Sequence, residues 1–378
     1  MNTLFKYNEP VTGRDFIGRR KDIDLICNLL TSGESLVVYG EPGVGCKSLV
    51  RESLTRLKMQ GTDFVVADID LMRVRSTEDV LLRFADGVIK ACASSPAQYR
   101  SIVEQCLQGT HFVFDQDQYD RSGAVVSLNW LPDDIDMEKV FQLPSALSAS
   151  RPSRLIVLVR QFQNVLFSED ADVILGFLEK VIERRDVRCP FVFTGSQYNR
   201  LREIFDVRRF FWRSVYRHTP SRIEASLMAE HVYSVFQAYG KVLQRDLVSS
   251  AAELLRCNPM YVNHLFSLVD SIAKGYITPN SVTDSMNVML SIHRQEFLRN
   301  VYSLTDFQLR LLRAIVDGET RFSAAQVVDR YRLSSSANVK RLKDALVKKE
   351  LVWFDEKDIP HIQDPLFEYW LRKEYFAD

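Results

Sequence analysis

SLVVYGEPGVGCKSLVRESLTRL, from Ser35 to Leu57, is the stretch whose reading decides the fold. The apolar run Ser35–Tyr39 reads as a buried strand, and Leu49, Val50, Leu54 and Leu57 recur at helical spacing. Between them, glycines at 40, 43 and 45 permit a turn whose backbone N–H groups converge on an anion, and the following helix adds the positive end of its dipole. Strand, glycine-rich loop and helix in this order are the context that a phosphate-binding loop requires. The standard pattern is Gly, four residues, Gly, Lys, then Ser or Thr; with Gly40 and Gly45 as its frame it predicts Lys at 46 and a hydroxyl at 47. This chain carries Cys46 and Lys47 instead. The lysine normally brings a point charge and the hydroxyl a magnesium ligand. Gly40, Glu41, Pro42, Gly43, Val44, Gly45, Cys46, Lys47 and Ser48 therefore read as a nucleotide cradle that lacks its cation and its metal ligand. Two other alignments stay open: Lys47 bends back toward the phosphates, or the loop is one residue longer and Ser48 supplies the hydroxyl. The bland reading is a glycine-rich turn with no ligand.

The second half of such a site is an apolar strand ending in two carboxylates, one for magnesium and one to orient water. The best match is RLIVLVRQFQNVLF, Arg154 to Phe167, where the carboxylate positions hold Arg160 and Gln161. A guanidinium repels a divalent cation and an amide is no general base. The rival strand HFVFDQDQYD, from His111, ends in Asp115 but lies in a polar, turn-rich stretch.

With these residues in view the chain resembles the archaeal-type ATPases of the STAND class, relatives of AAA+ proteins. The matching pieces are FIGRRKDIDLI before the loop, FVVADIDLM as a second strand, and LIVLVRQFQNV where that family has a strand followed by DEFQN. FVFTGSQ, CNPMYVNHL and DPLFEYWL follow in the family's order. The resemblance implies an α/β P-loop NTPase parallel sheet, a helical lid domain and a C-terminal winged helix. It implies ATP or ADP as the ligand, and a sensor role for Thr194 and Ser196. Cys46, Lys47, Arg160 and Gln161 fall where this family handles phosphate, metal and water, so the expectation is a pseudo-ATPase: a regulatory or interaction switch with no confident catalytic residue, no metal ligand and impaired magnesium binding. Lys47 and Arg160 are the cations expected to replace magnesium. One alternative is a residual magnesium-dependent ATPase using Lys47 or Ser48; another is a nucleotide-free scaffold or DNA-binding regulator.

The expected domains are residues 1–217 for the ATPase-like part, with a variable insertion at about 109–136 that includes a short hairpin, 218–295 for the helical lid and 296–378 for the winged helix. Asn258 and Pro259 suffice as a helix start, since Pro suits a first helical position; the resemblance adds a report of nucleotide state. In the winged helix, Lys340, Arg341 and Lys343 on the third helix are the candidate DNA contacts, and Asp355, Glu356 and Asp358 make the wing acidic. Arg208 and Arg209 read as a solvated basic turn.

The 49 basic and 49 acidic residues cancel, which argues against broad attraction to nucleic acid or anionic membrane. Six scattered cysteines show neither metal-ligand spacing nor a paired framework. A cytoplasmic protein with a protein partner, and without membrane insertion or a secretory leader, is the expectation.

Overall fold

Strands that are apolar from end to end demand cover on both faces, which a parallel sheet flanked by helices supplies. The computed structural model, which describes residues 4–377, has nine strands among those residues. They are β1 (Ser35–Val38), β2 (Phe64–Asp70), β3 (Phe112–Val113), β4 (Ser127–Leu128), β5 (Arg154–Arg160), β6 (Phe191–Thr194), β7 (Val215–His218), β8 (Val352–Phe354) and β9 (Pro360–Ile362). Five of them form one parallel sheet in the order β2-β5-β6-β1-β7. Every residue of β1 and β6 is buried. The four strands expected from the sequence are all present. β7 was not expected, because VYRH is short and half of it is polar.

The chain divides into two compact units. The first, Arg20–Gly40 with Leu49–Pro220, holds the parallel sheet. Helix Thr77–Cys92, capped by Ser76, packs so closely on β2 that a Cβ at Gly87 would lie 2.8 Å from the Ile69 side chain. Phe162, Phe193, Phe205 and Phe211 meet as an aromatic core, with Phe162 and Phe193 centroids 4.4 Å apart. β3 and β4 pair antiparallel, with helix Gln116–Ser122 between them. The rival reading of HFVFD is thereby corrected: β3 lies outside the parallel sheet, and the Asp115 side chain caps that helix by accepting from the Gln118 N–H at 3.1 Å.

The second unit comprises Glu41–Ser48, Ser221–Asp378 and the described residues of Met1–Arg19. Helices Ala225–Ala238, Arg245–Leu254, Pro259–Ile272 and Pro279–Tyr302 share a buried core with the winged-helix segment, whose own helices are Asp306–Val316, Ala325–Arg330 and Ser336–Lys348. The helix Pro279–Tyr302 runs without a break through the expected 295/296 boundary. β8 and β9 form the wing, and Asp364 caps the helix Pro365–Trp370. No helix among the described residues is long and apolar enough to cross a membrane.

Candidate nucleotide site

The loop after β1 takes its shape from glycines in the left-handed region, Gly43 at φ +78° and Gly45 at φ +93°. Its carbonyls are gripped one after another. Asn258 Nδ2 donates to the Pro42 carbonyl at 2.8 Å, the Met260 N–H donates to the Gly43 carbonyl at 3.4 Å, and the Arg19 guanidinium donates to the Val44 carbonyl. Asn258 also caps its own helix, its Oδ1 accepting from the N–H groups of Met260 and Tyr261. The helix-start explanation is therefore true but incomplete, because one amide both starts the helix and holds the loop. A Cβ at Gly43 would meet Asn258 Oδ1 at 2.7 Å, so glycine is required by the approach as well as by φ.

Helix Cys46–Met59 follows directly. Its first four N–H groups have no acceptor within the helix, and its first turn carries no acid, as an anion site at a helix N-terminus needs. Cys46 is buried; burial pushes its thiol up to about 12, against the pull of Arg19 and Lys47. It is a packed neutral group, not a reactive thiolate. Lys47 is exposed. The Ser48 hydroxyl oxygen accepts from the Val11 N–H at 3.2 Å, which turns it toward the N-terminal segment. Arg19, a cation not singled out from the sequence, lies against the loop backbone; a Cβ at Gly45 would lie 3.2 Å from its Nη1. The wing reaches the loop too: Trp353 Nε1 donates to Glu41 Oε1 at 2.7 Å, with the indole stacked on His361 at 4.3 Å.

The sheet unit carries the residues expected at the strand ends. The register aligns Asp70, Arg160, Thr194, Val38 and His218 across the five strands at their carboxyl ends, the edge at which open α/β sheets bind ligands. Arg160 is bound to two acids of β2, its Nε 2.6 Å from Asp68 Oδ1 and its Nη1 3.2 Å from Asp70 Oδ2. The charge of Arg160, expected to stand in for magnesium, is thus matched by carboxylates of β2.

Gln161 sits in the left-handed region at φ 56°, ψ 41° and is buried. Its Oε1 accepts three hydrogens: from Gln163 Nε2 at 2.9 Å, the Ser196 N–H at 3.1 Å and the Ser196 hydroxyl at 2.8 Å. A general base or a metal ligand needs an open lone pair, and this oxygen has none left to offer. Thr194 is buried, with its hydroxyl unpartnered among the described residues.

In the winged helix, Lys340 and Arg341 are exposed. Lys343 instead lies over the Phe354 ring at 4.2 Å and pairs with Asp358 of the wing. It works as a strut between helix and wing.

With this geometry the fold is an α/β P-loop NTPase fold, followed by a helical region and a winged helix. Residues 295–373 match the model of a probable winged helix domain. The whole chain resembles a Walker-type ATPase of Pyrococcus abyssi, at 16% identity and a TM-score of 0.63 over 98% of this chain and 99% of that one. It also resembles the Aeropyrum pernix ORC2 protein in its ADPNP–ADP complexes, at 13% identity and a TM-score of 0.56 over 96% and 93% of the two chains. The ADP form of that protein gives 13% identity and a TM-score of 0.55 over 96% and 95%. Among curated proteins none matches the chain. At such identities the likeness establishes the fold alone.

Proposed function

We propose that the protein is a STAND-like pseudo-ATPase, a switch that binds ATP or ADP at residues 40–48 without effective turnover and acts on a protein partner through its other surfaces. In this reading residues 1–217 form the nucleotide-binding part, 218–295 the lid and 296–378 the winged helix. The observation that carries it is the saturated Gln161 oxygen beside an Arg160 bound to Asp68 and Asp70: the positions that would handle metal and water are occupied by a closed network. The loop, by contrast, keeps its glycines and its helix N-terminus, which hold an anion without side-chain help. Arg19 and Lys47 are the cations offered to phosphate. Asn258 and Trp353 touch the loop from the lid and the wing. A nucleotide that favours one arrangement of these contacts shifts the population by that difference in affinity, with no need of turnover.

Calorimetry with ATP and ADP, in magnesium and then in chelator, beside a phosphate-release assay, tests the reading. The expected result is binding that survives the chelator, with no release of phosphate above background. Magnesium-dependent turnover that is lost in Lys47→Ala would replace it with a residual ATPase. A silent native chain, with binding gained in a C46K/K47T double variant, would mean that the site is vestigial.

A second reading, DNA binding through the winged helix, rests on the exposed Lys340 and Arg341. It predicts salt-sensitive DNA affinity that falls when both are neutralised; no affinity at low salt removes it.

A further inference from the structure

We propose that a groove between helices Arg245–Leu254 and Pro279–Tyr302 is a docking site for an amphipathic helix of a partner protein, one that carries a carboxylate beside its apolar stripe.

The two helices start from a common anchor. Val242 and Tyr276 form an isolated parallel bridge, in which the Val242 N–H donates to the Gly275 carbonyl and the Ile277 N–H to the Val242 carbonyl, both at 2.9 Å. The chain enters one helix at Arg245 and the other at Pro279, each three residues past its end of the bridge. The second helix has a defined start: the Thr278 hydroxyl oxygen accepts from the Ser281 N–H at 3.2 Å, and Pro279 takes the first helical position.

Beyond the bridge the facing sides of the two helices leave a gap. Leu247, Ala251 and Leu254 recur at i, i+4 and i+7 on the first helix, and Pro279, Val282 and Met286 at i, i+3 and i+7 on the second. Together they line an open cavity of about 220 Å³. Ala251, Val282 and Met286 are buried, whereas Leu254 is 46% exposed. A leucine exposed singly is ordinary; here it stands on an apolar groove shared by two helices. Tyr369, from helix Pro365–Trp370, adds a half-buried ring to the lining. Lys373 follows one turn later and is the one charged side chain of the lining among the described residues. Its Nζ lies 5.5 Å from the centroid of the Tyr369 ring and donates to Asn287 Oδ1 at 2.8 Å. Lys373 has no carboxylate partner among the described residues.

Size, shape and charge select the occupant. Sites for small molecules span roughly 300–1,000 Å³; this cavity is smaller and suits one or two large side chains, the kind of pocket that anchors a protein interface. Leu247 to Leu254 covers about 10 Å at a rise of 1.5 Å per residue, which is the span of anchors at i, i+4 and i+7 on a third helix laid into the groove. Lys373 is held in place by a ring and an amide and still lacks a carboxylate, so it favours an acidic side chain and repels a basic one. The groove shares no residue with the phosphate loop, so this inference is independent of nucleotide binding.

Fluorescence anisotropy on the full chain tests it, with two labelled helical peptides that differ only in charge. Both carry leucines at i, i+4 and i+7; one has glutamate, the other lysine, one turn beyond each end of that stripe. The glutamate peptide is expected to bind at least about tenfold more tightly than the lysine peptide. K373E, a change at an exposed residue, is expected to reverse that preference. L254Q is expected to weaken both peptides at least about fivefold while melting like the native chain. Absence of binding by either peptide overturns the proposal. So do equal affinities of the two, a preference that K373E leaves as it was, or affinities that L254Q leaves unchanged. Dodecanoate that binds in the groove where neither peptide does would assign it to a free amphiphile and also overturns the helix.

Discussion

The loop residues Cys46 and Lys47 and the residues Arg160 and Gln161 at the end of β5 sit in opposite surroundings. The loop is gripped on its carbonyl side by Asn258, Met260 and Arg19, and its first helical turn keeps the amide donors that an anion needs. The strand ends have closed on themselves: Gln161 takes up Gln163 and Ser196, and Arg160 takes up Asp68 and Asp70. Binding rests on backbone geometry, which survives side-chain change. Hydrolysis rests on placed carboxylates, which do not. The two capacities can therefore be lost independently.

The largest effect that would break this contrast lies at Gln161. Gln161→Ala leaves the buried Gln163 amide without its acceptor, at a cost of about 1–3 kcal/mol, while the exposed Ser196 turns its donors to water. Urea denaturation should show that loss, and an unchanged midpoint would mean that the network is decorative. On the loop side, Gly43→Ala forces a side chain into the left-handed region and against Asn258. Strain of about 1–2 kcal/mol in the folded chain should lower the stability to urea by that amount, and a loop that relaxes to escape it should bind nucleotide roughly tenfold more weakly by calorimetry.

A smaller effect is expected from Trp353→Phe, which keeps a ring over His361 and removes the donor to Glu41. One hydrogen bond to a charged acceptor at a half-exposed site is worth about 1 kcal/mol, so nucleotide affinity should move by no more than about fivefold. A change of tenfold or more would place the wing inside the binding site.

The gentlest probe is protons. Burial lowers His264 from 6.5 to about 4 and also lowers His231, both in the unit that holds the loop. The hydrogen bond to Asp136 raises His111, in the sheet unit. The signs differ accordingly. His264 must stay neutral to remain buried, so its contribution to stability is present above the unfolded value near 6.5 and is lost as pH falls toward 4. His111 contributes below its unfolded value and loses that contribution as pH rises through its raised folded value. Titration of the imidazole resonances by NMR should place His264 below His111; a reversed order would contradict the burial of His264 against Tyr7 and His293.

Much of the fold was legible because local pattern and global role agree. The strand ahead of Gly40, the apolar run before Arg160 and the helix spacing after the loop are all local signals. β7 was not legible, since four residues reading VYRH gain their meaning only by pairing with β1. Arg160 appeared as a lone cation because its acids lie 92 and 90 residues earlier, as Asp68 and Asp70. Lys343 appeared to be open to DNA because its partner Asp358 is on the wing, 15 residues away.

By itself, then, the sequence determined four of the five strands of the parallel sheet, the frame of the phosphate loop and the residues Cys46, Lys47, Arg160 and Gln161 as the ones to examine, since glycine geometry and apolar periodicity act over a few residues. Only the tertiary structure decided what those residues do. Whether a charge is open or matched, and whether an amide oxygen is spare or spent, depends on residues tens to hundreds of positions away that packing alone brings within hydrogen-bond reach.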